Sequence, residues 1–309
     1  MEAIGSTQTG TSKNAANLGT VVPSRKDRRR GVQGTRLPKD ASIDVRKMDL
    51  SGIEGSPIYF FDNDPASSHF FHMMSLLFPE GERFFIESVR NFRNKVKDPV
   101  LVKQVKAFTS QEILHSKAHV DYNKRLAKAG VDIERLDEWL EVAFRLVKRL
   151  PKRDQLALTC MAEHFTATLA EEFLRNKDIQ NKIHESQRPM WLWHAIEETE
   201  HKAVAYDVYR SIGGGDFRRI AVLPVAAAAL GPVVFGVMIY VMGADGQLTN
   251  FKSWRRLGHN LFNRRSGILS RTGVRLLDYW KPGFHPWHHD SYELVNAWKA
   301  QFSGQYDVV

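Results

Sequence analysis

A chain of 309 residues, 43% apolar and 26% charged, has enough material for one large or two ordinary domains with a real core. Its one cysteine, Cys160, excludes an internal disulfide and a cysteine-based zinc site, and fits a reducing compartment. The formal net charge of +9 suits nucleic acid or an anionic membrane surface. Much of the excess lies in "RKDRRR" at 25–30 and in Lys252, Arg255, Arg256, Arg264, Arg265, Arg271 and Arg275.

Residues 1–40 are rich in Gly, Ser, Thr, Asn and Lys/Arg with few large apolar side chains, so a disordered basic tail is expected over 1–45. No apolar run follows the basic residues, as a secretory signal would require. From about 69 to 211 the pattern is helical almost throughout, and a helical domain is expected over 55–215. "GERFFIESVRNFRNKV" has apolar residues at helical spacing and stops at Asp98-Pro99. "PVLVKQVKAFTSQEILHSKAHVDYNKRLAKAG" reads as a long second helix, with Pro99 in its first turn and Gly130 at its end. "IERLDEWLEVAFRLVKRL" is a shorter amphipathic helix and "KRDQLALTCMAEHFTATLAEEFLRN" another long one. "PMWLWHAIEETEHKAVAYDVYRSIGGG" closes the series at three glycines. With no convincing strand pairs, the expectation is an all-α bundle.

Residues 220–244, "IAVLPVAAAALGPVVFGVMIYVMGA", carry no charge and are long enough to cross a bilayer. A hydrophobic segment over 218–245 is expected to enter a membrane, either spanning it or as a shallow hairpin; the competing reading is a buried core helix interrupted by Pro224 and Pro232. Residues 246–309 form a basic and aromatic C-terminal region. It includes "LLDYWKPGFHPWHHD", whose His285, His288 and His289 read as part of an interfacial segment rather than a second metal site.

The chemistry concentrates in "HAIEETEH". Residues three and four apart share a helix face, so His194, Glu198 and His201 form one stripe, with Glu197 and Glu200 off it. "QEILH" supplies a second Glu-x-x-His, Glu112 and His115, on a separate long helix, with His119 one turn later. Helix bundles that hold two metal ions use this arrangement with one further Glu from each of two other helices. Glu82, in "FPEGERFF", and Glu163, inside a strongly apolar run where a lone carboxylate is costly, meet that demand. Seven candidate ligands result: Glu82, Glu112, His115, Glu163, His194, Glu198 and His201. His119 is an eighth ligand or a partner of one. His164 points about 100° away from Glu163, and Glu171 and Glu172 are weaker candidates. The donor mixture suits two iron ions, with manganese or zinc as alternatives.

These residues resemble the ferritin-like di-metal carboxylate superfamily. The histidine before the last Glu-x-x-His makes the pattern similar to arylamine N-oxygenase type di-iron enzymes. More closely, "FPEGERFF", "QEILHSKAHVDYN", "WHAIEETEHKAVAYDVY" and "KPGFHPWHHD" resemble a bacterial family labelled predicted metal-dependent hydrolase, over about residues 55–295. The resemblance implies a ferritin-like four-helix bundle with a di-metal core. The function expected is an O2-dependent oxidase or oxygenase acting on a small lipophilic substrate with an electron donor. The alternatives are a hydrolase using a metal-activated water, or a membrane-attached protein that only binds metal. The expected setting is the bacterial inner membrane, with the metal domain cytoplasmic, no nucleic acid partner and a homodimer as one option.

Overall fold

In the computed structural model, residues 42–304 and 306–309 are described, and they are mostly helical, as expected. The basic tail lies outside the described residues apart from its last few. The chain enters through a three-residue strand, β1 (Arg46–Met48), where no strand was expected. The first long helix, α1 (Pro65–Arg90), starts where the Asp64 carboxylate accepts from the Ser67 amide and Pro65 fills the first helical position. It therefore begins well before the 81–96 segment picked out by apolar spacing, and runs through Pro79. That proline has no amide to offer the Ser75 carbonyl; Asn123 Nδ2 donates to it instead, at 3.0 Å.

Helix α2 (Pro99–Lys128) is capped by Asp98 and followed by Gly130 at φ +94°, a left-handed conformation that glycine adopts freely. Helices α3 (Ile133–Val147), α4 (Lys152–Arg175) and the short α5 (Lys177–Lys182) follow. The single helix expected over 189–211 is instead two, α6 (Arg188–His201) and α7 (Val204–Ser211). At the break the buried Lys202 directs its ammonium to Glu171 Oε1 (2.8 Å), Ser291 Oγ (2.8 Å) and the His289 carbonyl (2.5 Å). Those contacts with distant chain offset the interrupted helical hydrogen bonds. The remaining elements are α8 (Asp216–Ala244), α9 (Phe251–Phe262), α10 (Ile268–Asp278), α11 (Tyr292–Phe302) and β2 (Tyr306–Val308), which pairs antiparallel with β1 through Lys47 and Asp307.

Helices α1 and α2 pack as one pair and α4 with α6 and α7 as another; the pairs meet through α1–α4 and α2–α7. Helix α8 lies along α1 and α4, α9 against α1, α10 against α4 and α11 against α6, so the C-terminal region is part of the same body. Two of the apolar clusters flank the polar belt, and a third joins α1 to α3, α8 and α9. Of the flanking two, one holds Phe71, Tyr122, Leu174 and Ile196; the other holds Phe84, Phe108, Leu156 and Val208. Helices α1, α2 and α4 each pass from one cluster to the other, and burial of such side chains stabilises by about 1.5–3 kcal/mol each. Glu82, Glu112–His119, Glu163 and Glu198–His201 occupy the belt between the clusters.

After α7, the chain turns through Gly213 at φ +78° and Gly214, where an added Cβ would overlap the buried Tyr209 ring. Gly214→Ala is expected to lower stability by about 1–3 kcal/mol. Gly236→Ala, where nothing lies within 4 Å of the added carbon, should be neutral or slightly stabilising. Thermal or denaturant unfolding of both variants checks the contrast.

Candidate metal centre

All seven candidate ligands are buried, in one belt. His194 Nε2 lies 3.1 Å from Glu198 Oε1, and His115 Nδ1 is 3.6 Å from the same oxygen. His201 Nε2 faces three carboxylates: Glu112 Oε1 at 3.3 Å, Glu163 Oε2 at 3.4 Å and Glu198 Oε1 at 3.5 Å. The His115 and His194 rings stack with centroids 4.2 Å apart. Ligand atoms within 4.8 Å of one another form four overlapping groups: Glu82–His119–His194, His115–His194–Glu198, Glu82–Glu112–His115 and Glu112–Glu198–His201. Glu163 belongs to none of these groups; its Oε2 lies beside His201, and its charge is felt by Glu82 and Glu112.

Hydrogen-bond partners fix which nitrogen of each histidine carries its proton. Gln111 Nε2 donates to the Asp44 carbonyl and to Glu200 Oε2, both at 3.0 Å, so Gln111 Oε1 must accept from His201 Nδ1 at 3.1 Å. His201 Nε2 is then a bare acceptor. His115 Nε2 lies 3.0 Å from Glu197 Oε2; with that nitrogen as the donor, His115 Nδ1 is bare. A longer relay sets His194. Asn123 is oriented by its bond to the carbonyl that Pro79 leaves free, so its Oδ1 accepts from Ser75 Oγ (2.7 Å). Ser75 Oγ then accepts from His119 Nδ1 (2.9 Å), and His119 Nε2 accepts from His194 Nδ1 (2.8 Å). His194 Nε2 is therefore bare as well.

The consequence is a cluster of acceptors facing acceptors. The buried oxygens Glu82 Oε1, Glu112 Oε1 and Oε2, Glu163 Oε1 and Oε2 and Glu198 Oε2, with His115 Nδ1 and His201 Nε2, have no hydrogen-bond donor. Orphaned buried acceptors cost free energy, and ionised ones far more. A divalent cation satisfies carboxylate and imidazole lone pairs together, so the residues fit a metal. Burial, and then the neighbouring carboxylates, push the Glu82, Glu112 and Glu163 carboxyls well above their ordinary range. Burial keeps His115 and His119 neutral.

Glu197 and Glu200, off the ligand stripe, are buried and paired with Arg46. Its guanidinium Nη1 lies 3.2 Å from Glu197 Oε1, and Nη2 lies 2.6 Å from Glu200 Oε1. The Arg46 amide also donates to Glu197 Oε1 at 3.0 Å. Lys299 adds a contact of 2.6 Å to Glu200. The outer partners of His115 and His201 are thus themselves held by the first described residues of the chain.

A family model described as predicted metal-dependent hydrolase matches residues 44–290, a span that runs from Asp44 beside Gln111 to the end of the histidine-containing turn. The chain belongs to the predicted metal-dependent hydrolase family. No curated protein and no solved structure matches it. The metal-dependent character of this family and the acceptor cluster agree.

Other residues of this hydrolase-family chain singled out from sequence lie elsewhere. His164 is buried against Tyr279, Nε2 3.1 Å from the Arg275 carbonyl, and burial depresses it to about 4. Glu171 pairs with Lys202 and Arg275, and Glu172 with Arg271. His285 pairs with Asp207 and His289 with Asp278, so the C-terminal histidines tie that segment to the core. Trp191 and Trp193 pack, on Phe71 and His115 respectively. Sequence reasoning missed Gln111, Ser75, Asn123 and Arg46. Gln111 beside Glu112, and Ser75 and Asn123 at inward helical positions, left a polar signal in otherwise apolar faces; Arg46 left none. A surface cleft of about 400 Å3 between α1 and α3, lined by Glu80, Arg83, Glu141, Phe144, Arg145 and Lys148, includes none of the candidate ligands.

Arg46→Ala should strand two buried carboxylates and lower stability by about 3–5 kcal/mol, against at most about 0.5 kcal/mol for the exposed Lys124→Ala, as read by chemical denaturation. A pH dependence follows from the raised carboxyls. Above pH 6.5 His115 and His119 are neutral in both folded and unfolded states, while unfolded glutamates, at 4.5, are ionised. Metal-free folded protein then holds protons that the unfolded chain has lost. Its stability should fall as pH rises from 6.5 through the folded carboxyl range. Metal replaces those protons, so its affinity should rise over the same interval, as calorimetry of chelator-treated and metal-loaded protein would read.

Proposed function

We propose that the chain is a metal-dependent hydrolase whose ions are held by Glu82, Glu112, His115, His194, Glu198 and His201 within a ferritin-like helical core. The observation that carries the reading is the convergence of bare imidazole nitrogens and undonated carboxylates, and the family match favours hydrolysis. Bound there, a pair of divalent ions would polarise an ester or amide carbonyl and acidify a water to near neutral pH. The protein's part is orientation and proton handling. Gln111, Glu197 and the Asn123–Ser75–His119 relay aim the three imidazoles, and Ser116 holds Glu82 Oε2 at 2.8 Å so that Oε1 turns inward. Glu163, outside the close ligand groups and without a donor on either oxygen, is the carboxylate placed to take the water's proton. Phe78, Phe108 and Trp193 wall the imidazoles with ring contacts of 4.8–5.0 Å, which suits a small apolar substrate.

The donor set itself favours a second reading. Four carboxylates and three imidazoles in this helical spacing are similar to oxygen-dependent di-iron centres, and with an external electron donor the same residues would serve an oxidase. None of the comparisons supports that chemistry. Anaerobic turnover of model esters with zinc or manganese tests the first reading. Glu163→Gln should keep its metal and lose about 10²–10⁴-fold in kcat, whereas Glu112→Ala and His201→Ala should lose the metal. Wild-type turnover by Glu163→Gln would place the base elsewhere. Oxygen uptake that requires iron, with no anaerobic esterase activity, would establish the second reading instead.

A further inference from the structure

Helix α8 is apolar on every side, yet only one side is packed. Arg219, Val222, Val237 and Val241 make a buried stripe along α1 and α4. Away from that stripe Phe217 is 87% exposed, Val225 54% and Phe235 64%, and Ala221 and Ala227–Ala229 are exposed with them. A helix lying on a soluble protein turns polar residues outward; α8 has no charged residue from Ile220 to Ala244. By length and composition it could cross a bilayer.

Its attachments are incompatible with crossing. At the start of α8, Arg219 donates to the Tyr279 and Lys281 carbonyls, and the Gly283 amide donates to Asp216 Oδ2 at 2.9 Å. At its end, Asp245 Oδ2 accepts from Tyr59 Oη at 2.7 Å and lies 2.8 Å from His69 Nε2. Val241 and Met242 pack there in one cluster with Met73 and Leu76 of α1. Both ends of a helix about 44 Å long are thus fastened to one side of the same body. It could stand across a bilayer only if charge-bearing α1 and α4 entered with it.

The neighbours of α8 supply the complementary charge. Helix α9 shares a cluster with α8 through Leu257 and Leu261, and α10 packs beside α9 over α4. These two helices and their flanking turns expose Phe251 (77%), Phe262 (61%), Val274 and Trp280 among exposed Lys252, Arg255, Arg264, Arg265 and Arg271. Aromatic and aliphatic side chains interleaved with cations are the composition of a surface that rests at lipid headgroups. Pairing with a second copy would bring these cationic rows toward their own images, which like charge opposes.

We propose that α8, α9 and α10 dock the protein in the plane of an anionic bilayer surface, with the outer face of α8 at the headgroup–acyl boundary. This surface is independent of the reaction at the metal centre. Flotation of the full chain with phosphatidylglycerol/phosphatidylcholine vesicles should show binding that is weak on phosphatidylcholine alone and falls with salt. Val225→Glu and Phe235→Glu should each weaken partitioning roughly tenfold or more with the melting temperature unchanged. Val225→Cys and Phe235→Cys, labelled with a fluorophore and read with depth-graded lipid quenchers, should report one shallow depth; Cys160 is buried and does not compete for label. No vesicle binding, or binding unaffected by the glutamates, would overturn the proposal. So would one label at the bilayer centre, which means spanning, or a dimer that Phe235→Glu dissociates with no vesicle binding, which means a second copy.

Discussion

Lone pairs facing lone pairs are the constraint around which this protein is built. At the middle of an apolar helical body, carboxylate oxygens from Glu82, Glu112, Glu163 and Glu198 meet imidazole nitrogens of His115 and His201 with no donor among them. Protons or cations must occupy such a site, because the interior cannot solvate the charge. Large apolar clusters on both sides of the belt hold α1, α2, α4, α6 and α7 in place regardless. The cost of the polar belt is thus offset by packing that does not involve it.

Around that belt the protein spends its remaining buried polar groups on orientation. Gln111, Glu197 and His119 each engage one nitrogen of a histidine and so turn the other toward the centre. Each of these is held in turn: Gln111 by Asp44 and Glu200, Glu197 by Arg46, and His119 by a serine and an asparagine whose geometry traces back to Pro79. A helix-breaking residue therefore serves the site, since the carbonyl it leaves free fixes a side-chain amide three hydrogen bonds from His194. The break after His201 has a similar logic. Lys202 leaves the helical path to join Glu171 and the C-terminal turn, so the end of α6 is held by the chain that follows α10.

The outer helices obey a different constraint. Residues 216–280 cover α1 and α4 with one face and present apolar and cationic side chains on the other. Helix α8 is fastened to the helical body near both ends, at Arg219 and at Asp245.

Much of this was legible in order along the chain. Helical spacing alone selected His194, Glu198 and His201 from five polar residues, matched them with Glu112 and His115, and required Glu82 and Glu163; all seven fall in one buried belt. Periodicity and capping residues are local, so the extents of α2, α3, α4 and α8 could be read closely. What was not legible depends on sequence-distant partners. Arg46 lies 151 residues from Glu197 and sits in a stretch with no helical pattern, so nothing near it signals burial. The early start of α1 and the break at Lys202 are decided by which chains meet. The protonated nitrogen of each histidine and the clamping of both ends of α8 are decided in the same way. The sequence by itself determined which residues share a helix face. Only the tertiary structure decided what each face meets, because hydrogen bonds and packing between elements act across distances in the chain that no local pattern records.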